Sequence, residues 1–123
     1  MPSEKQVIDA LSKIAMEIPG YVAASLVDLE SGMTIGMKSV RQEFDLSAAS
    51  AYNSEMVKQK MKIIKALGLN ATIDDMLITL SDQIHVIKMT NGGASFIYMC
   101  VDRALCNLGI VRTVLSRHAA TLG

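Results

Sequence analysis

The sequence predicts an α/β sandwich, with helices on both faces of one five-stranded antiparallel sheet. Three features of the sequence support this. Apolar residues recur at helical spacing at the start, in the middle and at the end of the chain. Five apolar segments between those helices are separated by short turn sequences. Residues 22–24, 76–78 and 96–101 are apolar and do not alternate with polar residues, as they would in a sheet with one face in water.

The first 40 residues predict one helix followed by a β-hairpin. Ser3 is placed to cap the helix, and Pro19-Gly20 ends it. Strands are expected over residues 21–28 and 33–39, because the four residues between them have turn chemistry. The apolar face of the helix consists of Val7, Ile8, Leu11, Ile14, Ala15 and Ile18.

A long middle helix is expected between Asp45, as its N-cap, and Gly68, which closes it. It carries two apolar stripes, although packing on a sheet needs only one stripe, about 100° wide. The spare stripe predicts self-association, and the sequence leaves open which stripe faces a partner. The first stripe holds Leu46, Ala49, Tyr52, Met56, Ile63 and Leu67, and the second holds Val57, Met61 and Ile64.

The last third predicts three strands and a final helix. The strands are expected over residues 72–80, 84–89 and 95–101, with turns at 81–83 and at Asn91-Gly92-Gly93. Asp102 is expected to cap the final helix, whose apolar face would hold Leu105, Leu108, Val111, Leu115, Ala119 and Leu122. The element order is αββαβββα in a single domain of residues 1–123. If the first strand lies beside the fifth, the strand order is 2-1-5-4-3.

That order places the third strand at an edge of the sheet. Residues 76–80 are apolar, with no proline and no charge, and an unprotected edge of this kind pairs with another chain. We therefore expect a homodimer through the third strand and the middle helix. Ile78→Pro is expected to remove a hydrogen-bond donor from the third strand and to distort its pairing. The expected interface residues are Tyr52, Met56, Ile63, Thr72, Asp74, Met76, Ile78 and Leu80.

Composition favours a protein that associates with other proteins. Half of the residues are apolar, and 12 basic and 12 acidic side chains give zero net charge. Nucleic-acid binding is not expected, because a basic excess is missing and only 4% of residues are aromatic. The longest uncharged stretch, residues 89–101, is too short and turn-prone to cross a membrane. The charged N-terminus and only two cysteines lead us to expect a cytoplasmic protein.

Residues able to do chemistry are present but do not form a recognisable site. The sequence has neither a phosphate-binding loop nor a nucleophile elbow. His85, Cys100, Cys106 and His118 lack the spacing of zinc ligands, so the thiols are expected to pack and His85 to be a hydrogen-bonded structural residue. His118 is expected to complement the dipole of the last helix. Asp74 and Asp75 would point to opposite faces of a strand. No catalytic residue, metal or cofactor is expected.

Lysines cluster on the middle helix at positions 58, 60, 62 and 65. Lys58, Lys62 and Lys65 share one helical face. Two interpretations remain open: a solvated helix surface, or a docking surface for an acidic partner whose approach these charges would steer.

Several segments together resemble the roadblock/dynein light chain family, in its bacterial form. The resemblance implies a profilin-like or longin-like sandwich and homodimers whose third strands pair. It also implies a regulator or scaffold that accompanies a Ras-like small GTPase of the gliding-motility type. The segments that carry it are Pro19-Gly20, Ser25-Leu26-Val27-Asp28 with Ser31-Gly32, residues 73–80, Asp102, Asn107-Leu108 and Arg112.

The leading hypothesis is therefore a non-enzymatic homodimeric adaptor that binds a Ras-like small GTPase. A small-ligand-binding sensor domain and an unrecognised hydrolase remain as alternatives. The sequence leaves open whether regulation means activation, exchange or scaffolding. An arginine inserted beside the GTPase phosphates would have to be Arg41, because Arg103, Arg112 and Arg117 are expected in the last helix.

Overall fold

The computed structural model describes residues 2–41, 45–90 and 92–123. Asn91, the first residue of one predicted turn, lies outside these ranges. The elements in chain order are α1 (Glu4–Glu17), β1 (Tyr21–Asp28), β2 (Thr34–Ser39), α2 (Leu46–Ala66), β3 (Asp75–Thr79), β4 (Gln83–Met89), β5 (Ser95–Asp102), a short 3-10 helix (Arg103–Leu105) and α3 (Leu108–Leu122).

The five strands form one antiparallel sheet in the order β2-β1-β5-β4-β3. The predicted fold class and strand order are therefore confirmed. β1 and β5 occupy the centre, and β3 pairs with β4 so that Met76 lies opposite Ile87 and Ile78 opposite His85. β3 lies at one edge of the sheet.

Helices cover both faces of the sheet, as predicted. On one face α1 and α3 pack over residues such as Leu26 and Ile97. On the other face α2 packs over residues such as Phe96 and Tyr98. Seven of the eight residues of β1 are buried, because its side chains meet a helix on either side. This double cover explains why the strands do not alternate apolar and polar residues.

The first two helices begin at the predicted caps. The Ser3 hydroxyl accepts the Gln6 N–H, and the Gln6 side chain accepts the Ser3 N–H at 2.8 Å, which forms a capping box. Asp45 accepts the Ala48 N–H at 3.0 Å at the start of α2. Local rules of helix initiation thus suffice for α1 and α2.

The predicted start of the last helix is wrong. Asp102 accepts the Ala104 N–H and caps only the 3-10 helix, whereas Asn107 accepts the Ile110 N–H and caps α3. Arg103 consequently lies in the 3-10 helix, and Leu105 and Leu108 are exposed instead of facing the core. The buried face of α3 consists of Val111, Val114, Leu115, His118, Ala119 and Leu122.

The third strand is also shorter than predicted. It covers residues 75–79 in place of 72–80, so Thr72, Asp74 and Leu80 lie outside it. The Met89 N–H donates to the Asp74 carbonyl at 3.1 Å. This is the first bond to β4 as the chain enters β3, and residues 69–73 before it lie outside the sheet.

Glu17 joins the end of α1 to the end of α3, a contact that the sequence does not predict. Its two carboxylate oxygens lie 3.0 Å from His118 Nε2 and 2.8 Å from Arg117 Nη1. The hydrogen bonds from His118 and then from Arg117 lower the pKa of Glu17. His118 therefore bonds to a carboxylate, in addition to lying near the C-terminal end of its helix.

Glu17→Gln is expected to lower the melting temperature at pH 6, and this difference is expected to shrink as pH falls below 4.5. A carboxyl group whose pKa is lowered by folding stabilises the fold above its ordinary pKa of 4.5 and loses that contribution as pH falls through the native value. Thermal melts of both proteins over this pH range would measure the difference. Glu30→Gln, on an exposed turn, is the control. A gap that stays constant down to pH 3 would contradict the assignment.

Candidate protein-interaction surface

The outer edge of β3 is open within the described part of the chain. β3 bonds to β4 on one side, and on the other side the structure gives it no strand partner. Met76, Leu77 and Ile78 are half-buried, and Thr79 and Leu80 are exposed. Backbone donors and acceptors thus line an apolar edge, which is the condition under which two sheets join.

Two backbone hydrogen bonds determine which β3 groups face outwards. The Met89 N–H donates to the Asp74 carbonyl, and the Leu80 N–H donates to the Gln83 carbonyl at 2.8 Å. Because bonding alternates along an antiparallel pair, even-numbered residues bond to β4. The N–H groups of Asp75, Leu77 and Thr79 therefore point to the open edge.

This alternation corrects the expectation for Ile78→Pro. The Ile78 N–H points to β4, so proline there would remove a bond within the subunit and not one between subunits. The residues of the strand were identifiable from the sequence, whereas the direction of their N–H groups was not. The side chains of Met76 and Ile78 lie on the α2 face of the sheet, because their partners across the ladder, Ile87 and His85, lie on that face with Tyr98.

Hydroxyl groups hold α2 to β1, to β2 and to the turn between them. Ser54 Oγ donates to the Leu29 carbonyl at 2.7 Å. Ser50 Oγ lies 3.3 Å from Ser25 Oγ and accepts from Thr34 Oγ1 at 2.9 Å. These contacts position α2 over β1 and β2, away from the β3 edge.

The stripe of α2 that stays open is the one containing Tyr52, Met56 and Ile63. Tyr52 is 78% exposed and Ile63 is 40% exposed, and the three residues lie within about 40° around the helix. The second predicted stripe turns to the sheet, with Val57 buried and Met61 half-buried. Leu46, predicted in the first stripe, is also buried.

The open stripe lies on the β3 side of α2. Met56 and Met76 pack against the same core cluster, whereas Lys58 on another face of the helix reaches the turn between β1 and β2. We use the name edge surface for this open stripe together with the apolar side chains of β3, and of the residue directly after it, that lie on the same face of the sheet. It consists of Tyr52, Met56, Ile63, Met76, Ile78 and Leu80. Of the other predicted interface residues, Thr72 and Asp74 lie in the exposed segment before β3.

His85 lies beside the edge surface and is hydrogen-bonded, as expected. Its Nδ1 is 3.2 Å from the Tyr98 hydroxyl and its Nε2 is 3.1 Å from Gln83 Oε1. The ring meets Tyr98 edge to face at 5.5 Å between centroids. Burial lowers the pKa of His85, which favours the neutral ring and a structural role.

The two aspartates before and at the start of β3 form ion pairs with two different basic side chains. Asp74 Oδ1 lies 2.6 Å from Lys88 Nζ, and Asp75 Oδ2 lies 3.2 Å from Arg112 Nε. Each carboxylate is thus neutralised by its own partner, in agreement with the expectation that the pair does not act as one site.

The lysine face of α2, formed by Lys58, Lys62 and Lys65, lies away from the edge surface. Lys58 Nζ donates to the Glu30 carbonyl at 2.7 Å and lies 3.8 Å from Glu55 Oε1. Lys62 and Lys65 are exposed. Lys58 therefore has a structural contact, and the two other lysines present their charge to solvent.

Neither cysteine is placed as a reactive thiol. Both are free. Burial raises the pKa of Cys100 to about 11 and also raises the pKa of Cys106, so both thiols stay protonated at neutral pH. Within residues 2–41, 45–90 and 92–123, no three or more metal-ligating side chains come together. None of the helices so described is long and apolar enough to cross a membrane.

Comparison with solved structures places this fold among known ones. The gliding protein MglB from Thermus thermophilus superimposes with a TM-score of 0.81 at 16% identity, over 97% of this chain and 87% of that one. Myxococcus xanthus MglB gives 0.82 at 18% identity, over 99% and 90%. A Roadblock/LC7 domain from Streptomyces avermitilis gives 0.81 at 9% identity, over 99% and 95%. No family model and no curated protein matches the sequence. The chain therefore has the fold shared by MglB and the Roadblock/LC7 domain, which confirms the resemblance to the roadblock family at the level of the fold.

Proposed function

We propose that the chain is a single-domain, homodimeric and non-enzymatic adaptor that binds and regulates a Ras-like small GTPase in the cytoplasm. The observation that carries the proposal is the open β3 edge together with an exposed apolar stripe of α2 on the same face of the sheet. The GTPase as partner follows from the resemblance to the roadblock family. A structural neighbour, MglB, has been described in a tetrameric arrangement, which supports self-association of this fold.

In the proposed dimer, two β3 strands pair antiparallel about a two-fold axis. The outward N–H groups of Asp75, Leu77 and Thr79 would bond to the partner strand. On the α2 face, the edge surfaces of the two subunits would bury each other, because each combines apolar side chains of the edge strand with an uncovered apolar stripe of α2. Such pairing is self-complementary, as a two-fold interface requires.

The lysine face would remain accessible in that dimer. Lys62 and Lys65 lie on a different side of α2 from the edge surface, so pairing through β3 does not cover them. Their exposed charges suit an acidic surface on the GTPase, and such charges accelerate encounter more than they hold the complex.

Regulation would proceed through contacts with the GTPase switch segments and not through an inserted arginine. Three of the four arginines already have partners: Arg103 Nη1 donates to the Leu80 carbonyl at 3.2 Å, and Arg112 and Arg117 form ion pairs.

Arg41 is exposed. We expect Arg41→Ala to retain any stimulated GTP hydrolysis, measured as phosphate release. Loss of stimulation with binding retained would show that Arg41 acts as a finger.

The test of the proposal has two measurements. Light scattering at micromolar concentration should give the mass of a dimer. Calorimetry with a Ras-like GTPase, loaded with GDP or with a non-hydrolysable GTP analogue, should show binding to one nucleotide state over the other. A monomer would refute the dimer, and no binding to either state of GTPases encoded beside this chain would refute the partner.

A further inference from the structure

A cleft of about 930 Å³ opens where the end of α2, the segment after it, the end of β4 and α3 meet. That volume is within the range of small-molecule sites, about 300–1,000 Å³. The cleft is separate from the lysine face except for Lys65, which lines both. Its apolar walls are formed by Met61, Ile64, Leu69, Ile73, Met89 and Ala119.

Small residues and a helix stop leave this space open. Gly68, with φ +71°, ends α2: its N–H donates to the Lys65 carbonyl and the Leu69 N–H donates to the Ile64 carbonyl. After Gly68 the chain runs outside the sheet and joins it only at Asp74 and Asp75. Across the cleft, α3 contributes Ser116, Ala119 and Ala120, whose side chains are too short to fill the gap.

One charged group is built into the wall. Lys88 is only 8% exposed and lines the cleft, and its Nζ donates to Asp74 Oδ1 at 2.6 Å. The Asp74 side chain is 84% exposed. An ammonium group has three donors, so Lys88 retains donors for a second acceptor that enters from the cleft.

The charges of the lining favour an anion. Lys65 and Lys88 are positive and Asp74 is negative, which gives one net positive charge beside an apolar wall. We infer that the cleft binds a small amphipathic carboxylate, with its acidic head on Lys88 and its tail against the apolar walls of the cleft. Neither the proposed dimer nor GTPase binding requires this site.

Decanoate is the probe for the test, and residue-resolved NMR of the full chain is the measurement. We expect saturable shifts at the residues that line the cleft. Decyltrimethylammonium, with the same tail and the opposite charge, should leave those signals in place. Lys88→Met keeps the packing and removes the charge, and it should weaken decanoate binding by about tenfold or more.

Asp74→Asn should change the affinity for decanoate in the opposite direction. It removes the carboxylate that competes for Lys88 and should therefore tighten decanoate binding, whereas damage to the fold would weaken it. Ala120→Trp should block the cleft, and Ala104→Trp, an exposed alanine outside the cleft, is its matched control.

Several outcomes would overturn the site. These are the absence of saturable shifts at the cleft, equal affinity in Lys88→Met, or unchanged binding in Ala120→Trp. Lining signals that move on dilution of the protein alone would show that a second subunit fills the cleft. Co-sedimentation with phosphatidylglycerol vesicles, lost in Lys88→Met, would assign the surface to membranes instead. Dimer mass and GTPase binding are measured separately, so failure here leaves the proposed function standing.

Discussion

Thr79→Pro is expected to turn the dimer into a monomer while the subunit stays folded. The Thr79 N–H points to the open edge of β3, and its side chain is exposed. Proline removes that donor and places its ring against the partner strand, and each of two symmetric sites then leaves a buried carbonyl unsatisfied at a cost of about 1–3 kcal/mol. Dimer affinity should fall by more than about 100-fold, as measured by light scattering over a dilution series.

Two further variants distinguish loss of the dimer interface from loss of the subunit fold. Thr79→Val keeps the N–H and the branched shape, so it should remain a dimer. Ile78→Pro removes a bond to β4 and should lower the melting temperature of the subunit itself. A dimer that persists in Thr79→Pro at full strength would place the interface on another surface of the chain.

The sheet was predictable because its signals are local and strong. The turn chemistry between residues 28 and 33 predicts the connection between β1 and β2. The uninterrupted apolar run near the end of the sheet sequence predicts β5. Burial of β1 on both faces follows from the lack of alternation in its sequence. The strand order then depends on placing β1 beside β5, which antiparallel hairpins at both ends of the chain favour.

The start of α3 was not predictable, because two residues able to cap a helix lie five positions apart. Asp102 and Asn107 both satisfy the local rule. Contacts with distant residues decide between them: the Asp102 N–H donates to the Gly20 carbonyl at 2.8 Å, and the Arg103 N–H donates to the Asp82 carbonyl at 3.0 Å. Because these bonds hold the start of the 3-10 helix against two distant segments, α3 begins only after Asn107.

The candidate interaction surface was predictable in composition but not in direction. Tyr52, Met56 and Ile63 were identifiable as a stripe, yet only the hydroxyl contacts of Ser50 and Ser54 show which side of α2 meets the sheet. Likewise, the contact of Lys58 with the Glu30 carbonyl spans 28 residues. Patterns within one helix carry no information about such partners.

Reversing Lys62 and Lys65 to Glu is expected to slow association with the GTPase by about tenfold at low salt and to flatten the salt dependence of the rate. Both lysines are exposed, so the change acts on encounter and should leave the dimer intact. Lys58 is left unchanged because its contact with the β1–β2 turn is structural. Stopped-flow binding at two ionic strengths gives the rates.

The matched control carries the same change of charge on the opposite side of the sheet. Lys5 and Lys13 are exposed on α1, and reversing both to Glu alters the net charge by the same amount. If the lysine face guides the GTPase, the α2 variant should lose far more of its association rate than the α1 variant. Equal losses would mean that net charge alone acts, and no loss in either would return Lys62 and Lys65 to a solvated helix surface.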